Sequence, residues 1–356
     1  MTITRALVRT AAVPLRRPYA VAHHHTDTAA MVLLQLHTDH GAMGLGAATP
    51  EPAVNGDTVA GAARELAAAA EALVGLRVGA PEHHAAVLAR LPSPAARMAL
   101  DMALHDLWAK ALGLPLVEAL GRAQQDLPTS VTLGLGSVAG TLAEAREHLA
   151  HGFTVLKVKV GEDLALDLER LAALRQHCGP GIALRADGNC GYRPAELLRF
   201  LRETVPLDLE FLEQPLPPEQ VAAQRLLPAA LRQRLMADES LHDELDAASL
   251  CAAPQPFGSA NLKLAKCGGI LAARRIAALA AQHHLPLMWG CMDESRIAIA
   301  AALHTALACG NTRWLDLDGH LELSEDFAVG GFTLAGGVLR LLDRPGLGLE
   351  PSGSVW

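Results

Sequence analysis

Residues 155–160 read VLKVKV, an apolar run interrupted by Lys157 and Lys159. Side chains on a strand repeat with period two, so both lysines fall on one face. A charge in such a run is costly unless it is paired or bound to a metal. The interruption recurs downstream. ALRAD ends at Asp187, LEFLE at Glu213 and LMAD at Asp238; ANLKL carries Lys263, and WLDLD carries Asp316 and Asp318. From Lys159 to Lys263 the charges are spaced by 28, 26, 25 and 25 residues, each about one strand–loop–helix–loop unit. They therefore recur at one level of a closed parallel barrel, at the C-terminal ends of its strands, the face that carries the active site in that architecture.

The surrounding sequence supports the same fold. Strand-like runs at 131–135, 155–160, 182–187, 209–213, 235–238, 260–264, 287–289 and 314–317 are separated by helical stretches such as 142–151 and 164–176. The first part is different. Thr2–Arg9, Met31–His37 and Ala42–Ala47 read as strands, with a turn at Asp39-His40-Gly41. Val59–Leu76 reads as a helix. A second helix starts at Ser93-Pro94 and stops near Gly113, and a third fits Leu116–Leu120 before Gly121. The expected organisation is an α+β capping domain over residues 1–125 and a barrel over 126–320. The segment 321–356, with Gly330-Gly331 and Gly336-Gly337, reads as hairpin-like and returns to the cap.

Composition excludes several functions. A chain that is 51% hydrophobic and 19% charged can bury a core and is not disordered. A net charge of −8 and 3% aromatic residues argue against a nucleic-acid partner. No apolar stretch is long enough to span a membrane. The six cysteines form no C-x-x-C motif, which points to reduced thiols and a cytoplasmic location.

Three carboxylates on consecutive strands, Asp187, Glu213 and Asp238, make an oxygen cage suited to a hard cation such as Mg²⁺. Asp316 and Asp318 share a strand face, and two inward carboxylates suit a bound cation; pairing with Arg313 or capping a loop is the structural alternative. Thr132, Met292, Asp293 and Ser295 lie at or after strand ends and are expected to line the pocket. Asn189 and Gln214 stand beside the acids; Lys266 has two readings, a charge contact with Asp238 or a surface or structural role. His23-His24-His25 lacks regular metal spacing and reads as part of a capping loop.

These motifs make the chain resemble the enolase superfamily, in the branch with muconate-lactonizing enzyme and the dipeptide epimerases. The resemblance spans essentially the whole chain. It rests on LKVKVG at 156–161, RADGN at 185–189, LEQPL at 212–216, ADES at 237–240, NLKLAKCGGI at 261–270 and ALDMALHDLWAK at 99–110. It implies an α/β fold, a modified (β/α)7β TIM barrel with an α+β N-terminal cap completed by the C-terminal segment. It also implies one Mg²⁺ per subunit on Asp187, Glu213 and Asp238, with Lys159 and Lys263 as the acid/base pair. Lys157 is then at the substrate carboxylate, and the D-x-D of Asp316 and Asp318 receives a dipeptide's α-ammonium. The implied reaction inverts the α-carbon of a dipeptide's C-terminal residue by 1,1-proton transfer through an enediolate. The Lys-base and Mg²⁺ pattern is the one general to this superfamily. Relatives are often homo-oligomers. One departure is that Gly44-Leu45-Gly46 is followed by Ala47, where many relatives carry an acid.

The side-chain preference is a separate expectation. Relatives acting on Ala–Glu dipeptides resemble one another in an arginine in the capping loop; here residues 18–25, which include His24, hold neither Arg or Lys. Glu51 and Asp293 are expected at the rim, so a cationic Lys/Arg dipeptide is favoured by like-charge exclusion of acidic ones. The alternatives are an L-Ala-D/L-Glu or hydrophobic dipeptide epimerase, an o-succinylbenzoate synthase or muconate cycloisomerase-like lyase, and a non-catalytic carboxylate-binding protein. The lyases have no need of Asp316 and Asp318. A simple binder has no need of a base on each face.

Overall fold

A computed structural model describes residues 1–21 and 24–356, with side chains described outside 18–25. Three antiparallel strands open the chain in the order β1 (Ile3–Val21), β2 (His24–Thr38) and β3 (Met43–Ala48). The first is far longer than Thr2–Arg9. Its outer half, with Pro14, Arg16 and Arg17, lacks the apolar alternation that marks a strand, and its pairing shifts register between Pro14 and Tyr19. The helix Val59–Glu71 ends before Leu76 because the chain turns there, and the Leu76 carbonyl accepts from the Ile3 N–H.

The helix Pro94–Leu112 lies across this sheet. Ser93 Oγ caps it by accepting from the Ala96 N–H, Pro94 fills its first position, and Gly113 ends it at φ 70°. Its close approach needs glycine on β3. A Cβ on Gly44 or Gly46 would lie 2.4 or 1.9 Å from the carbonyl oxygens of Ala103 and Ala99. Within the helix, wholly buried Asp106 joins three parts of the chain. It accepts from the Leu45 N–H of the cap sheet, from Lys110 and from the Leu347 N–H near the C-terminus.

Eight parallel strands follow in consecutive order: β4 (Val131–Leu133), β5 (Val155–Lys159), β6 (Ala183–Asp187), β7 (Leu209–Glu213), β8 (Leu235–Ala237), β9 (Ser259–Lys263), β10 (Leu287–Gly290) and β11 (Thr312–Asp316). Helices lie between successive strands, and β11 leads back toward the cap, so the barrel is (β/α)7β. The ring is drawn together where its ends meet. The Ser130 N–H donates to the Leu315 carbonyl, and the Thr132 N–H to Asp318 Oδ2.

The last segment contacts both parts. Arg16 N–H donates to the Glu322 carbonyl and Ser324 N–H to that of Pro14. Phe332–Ala335 and Val338–Leu341 form a hairpin turning at Gly336 and Gly337, both at positive φ, and Val338 bridges to Pro128 beside the barrel. Among the described residues, no helix is long and apolar enough to cross a membrane, and the six cysteines are unpaired.

Candidate active site

The strand ends bring the predicted charges together. Lys157 Nζ sits 3.0 Å from Asp187, 2.8 Å from Glu213 and 2.8 Å from Asp316. Lys159 Nζ is 2.7 Å from Asp187 and 2.9 Å from Asn189 Oδ1. Lys263 Nζ is 2.8 Å from Asp238 Oδ2, and Lys266 binds Oδ1 of the same carboxylate at 2.5 Å. Gln214 supports Asp238 by accepting from its N–H. Alternation is why the lysines of β5 meet the acids: Lys157 and Lys159 both point inward, while Val158 packs outward into the core.

Burial and charge set the protonation states. Burial pulls Lys157 down, but Asp187, Asp316 and Glu213 outweigh it and hold the ammonium well above its ordinary range. Burial likewise opposes ionisation of Asp238, but Lys263, Lys266 and Lys157 hold it well below the usual carboxylate range. Glu213 goes the other way. Burial, with Asp187 and Asp238 alongside, pushes it up to about 8 in spite of Lys157. The D-x-D pair is split in the same manner. Burial works against ionised Asp316, yet Lys157 and Ser130 hold it low, whereas burial and Asp316 push Asp318 up to about 7. Arg313 lies over the Trp314 ring, 4.7 Å from its centroid, a cation–π contact on its own strand.

Among the described residues, no three His, Cys, Asp or Glu side chains stand as a closed metal-binding set. The lysine ammonium groups sit on the carboxylates instead. The donor set nonetheless fits a hard dication. Asp187, Glu213 and Asp238 offer only oxygen, and the like-charge strain on Glu213 is what such an ion relieves. Glu213 Oε2, though near Lys157, accepts no aligned hydrogen bond, and neighbouring Asn261 Oδ1 has no partner.

Above this floor opens a cavity. Thr132, Lys157, Lys159, Lys263, Met292, Asp293, Asp316 and Asp318 line it, as expected from their strand positions. Two expected residues do not. Glu51 turns onto its own loop, where Oε1 accepts from the Ala53 N–H and Asn55 Oδ1 takes the Glu51 N–H. Ser295 is buried just before the helix Arg296–Leu307, beneath the pocket wall. The side chain of His24 lies outside the described residues. Arg17, Glu144, His148, Cys291 and Glu322 also line the cavity and were not anticipated. Glu144 and His148 are spaced i, i+4 on one helix, the only sequence signal among them. Arg17 corrects the view of a rim without a cation: it stands one residue before the stretch 18–25 and pairs with Glu147 at 2.5 Å.

This arrangement matches a family. Residues 3–121 match the mandelate racemase/muconate lactonizing enzyme N-terminal domain, and residues 140–355 match the enolase C-terminal domain-like model. The chain belongs to the mandelate racemase/muconate lactonizing enzyme branch of the enolase superfamily. Within that family it is 50% identical over 359 residues to the L-Lys-D/L-Arg epimerase of Methylococcus capsulatus, covering 98% of this chain and 99% of that one. It is 44% identical to the L-Lys-D/L-Arg epimerase of Desulforapulum autotrophicum, covering 94% and 96%. The crystal structure of the Methylococcus capsulatus dipeptide epimerase with Mg and L-Arg-D-Lys superposes with a TM-score of 0.96, over 98% of this chain and 99% of that one.

Proposed function

We propose that the protein is a Mg²⁺-dependent dipeptide epimerase that inverts the α-carbon of the C-terminal residue and favours Lys- and Arg-containing dipeptides. One observation carries this reading. Lys159 on β5 and Lys263 on β9 stand four strands apart in a ring of eight, and both line one cavity whose wall holds Asp316 and Asp318. The two lysines address opposite faces of a carbon held between them.

A Mg²⁺ ion on Asp187, Glu213 and Asp238 would supply positive charge to the substrate carboxylate, making the α-proton more acidic. The chain's own groups do the rest. Asp316 and Asp318 take the α-ammonium through charge-assisted hydrogen bonds and fix the dipeptide's direction. Lys157 neutralises the inner acids. One of Lys159 and Lys263 takes the α-proton on Nζ, and the other, protonated, delivers a proton to the opposite face. At the mouth, among the described residues, Glu144, Asp293 and Glu322 stand with Arg17, which is already paired with Glu147, a setting that favours cationic side chains. The unpaired cysteines support a reducing, cytoplasmic setting. Homo-oligomerisation is proposed on family grounds and is read by light scattering.

The test is deuterium exchange at the substrate Cα across a dipeptide library in D₂O with Mg²⁺. Dipeptides ending in Lys or Arg are expected to exchange and epimerise with kcat/KM about tenfold to 150-fold above the same dipeptide ending in Glu, the value of one charged hydrogen bond. Equal turnover of the Glu dipeptide would remove the cationic preference; no exchange with any dipeptide would remove the reaction.

A further inference from the structure

One buried ionic network near the barrel mouth has no part in the mechanism above. Arg170, on the helix Leu164–Cys178, is 1% exposed, and Asp167 on the same helix is 2% exposed. Charges so deep persist only where geometry satisfies them. Arg170 Nη1 donates to the Lys159 carbonyl at 2.7 Å, Nη2 to the Gly134 carbonyl, and Nε to Thr141 Oγ1 at 2.8 Å. Asp167 Oδ2 accepts from the Gly161 N–H and from the Tyr192 hydroxyl, both at 2.8 Å. A single guanidinium thus ties the ends of β4 and β5, and its carboxylate neighbour ties the loops after β5 and β6.

These loops have no room to adjust. A Cβ on Gly161 would lie 2.5 Å from the Gly188 carbonyl oxygen, and one on Gly191 would lie 2.3 Å from that of Gly161. Lys159 is consequently held at both ends, its carbonyl by Arg170 and its ammonium by Asp187 and Asn189. The other lysine is supported differently. Lys263 precedes a short helical turn, its ammonium rests on Asp238, and Lys266 braces that carboxylate from behind. Arg170, Asp167 and Tyr192 make no hydrogen bond to Lys263 or its strand.

We infer that Arg170, with Asp167 and Tyr192, is a positioning device for Lys159 alone, so that its loss impairs proton transfer on one face of the substrate and spares the other. The inference rests on the two-lysine reading. In that reaction each epimer loses its α-proton to one lysine, and solvent exchange reports the two lysines separately.

The experiment follows Cα–H exchange in D₂O by proton NMR from each pure epimer of a Lys- or Arg-ended dipeptide, with the Mg²⁺-loaded protein. Lys159→Ala first identifies the epimer served by Lys159. Arg170→Lys is then expected to slow exchange of that epimer about tenfold or more in kcat, while the other epimer changes less than twofold and KM is little altered. Tyr192→Phe keeps the ring packing and removes only the bond to Asp167; about a threefold loss on the same face is expected, and it carries the test if Arg170→Lys fails to fold. An equal loss on both faces, or no loss in a folded variant, overturns the positioning role. Absence of exchange in the unsubstituted protein would instead overturn the two-lysine reaction, so the two failures are distinct.

Discussion

The floor and the rim of the cavity are built by different means. On the floor, the charged groups of β5 to β9 and of β11 are almost all buried and lie within about 3 Å of an opposite charge. Their positions follow from parallel strands whose hydrogen bonding leaves little freedom. At the rim, Arg17, Glu144, Asp293 and Glu322 come from a cap strand, a barrel helix, a loop and the C-terminal segment. The Arg17–Glu147 pair is about half exposed, so solvent screens it. Chemistry that tolerates no displacement lies where the backbone is over-determined. On the proposed reading, selectivity lies on side chains that can be exchanged without disturbing the strands.

The strongest test of this division lies on the floor. Lys263→Ala is expected to reduce net epimerisation by about 10²- to 10⁴-fold, the usual contribution of a positioned acid/base group, as measured by the change in optical rotation. A fully active variant would break the comparison at its base. Next in size is the pair that bridges floor and rim. Burial and Asp316 push Asp318 up to about 7, so its carboxyl is protonated below that pH and ionised above it. In the proposed reaction the dipeptide ammonium needs the ionised form, so kcat/KM is expected to rise as pH increases through about 7. Asp318→Asn should abolish that rise and lower kcat/KM about tenfold or more. A pH step that survives the substitution would assign it elsewhere.

At the rim, Asp293→Asn or Glu322→Gln is expected to lower kcat/KM for a Lys-ended dipeptide by about tenfold while leaving a Leu-ended one within twofold, with the effect shrinking in high salt. The smallest effect is on stability. Burial holds His320, beneath the rim, and His304 down at about 3. An unfolded histidine binds its proton near 6.5, so each contributes stability above that pH which is lost as pH falls from about 6.5 toward 3. The slope approaches about 1.4 kcal/mol per pH unit per histidine, readable as a falling urea midpoint. Flat stability over that window would contradict their burial in neutral form. Because this window lies below the Asp318 step, loss of activity near pH 7 and unfolding are separable.

The division also explains what could be read from the residues. The floor was legible because charge in an apolar strand is conspicuous and recurs at the length of one barrel unit. The helix from Ser93-Pro94 to Gly113 was legible because both of its ends carry local stop and start chemistry. Arg17 and Glu322 were not, since a polar residue in a polar segment gives no sign of the cavity it reaches. Glu51 misled for the converse reason: it follows the cap hairpin directly, but its turn closes on itself through Asn55 and carries the carboxylate away. The outer half of β1 was missed because Pro14 and two arginines break the alternation, and only pairing with β2 makes it a strand.

Asp106 bears on how the chain is made. Synthesis proceeds from the N-terminus, and domains often fold as they emerge. Here the buried carboxylate beneath the cap sheet takes one of its donors from Leu347, 241 residues further along the chain. The cap is made before the barrel but is closed only after it. Until residue 347 arrives, a folded cap must hold an acid whose second oxygen lacks its buried partner, so a nascent chain stalled before that residue would leave the cap open to proteases and chaperones.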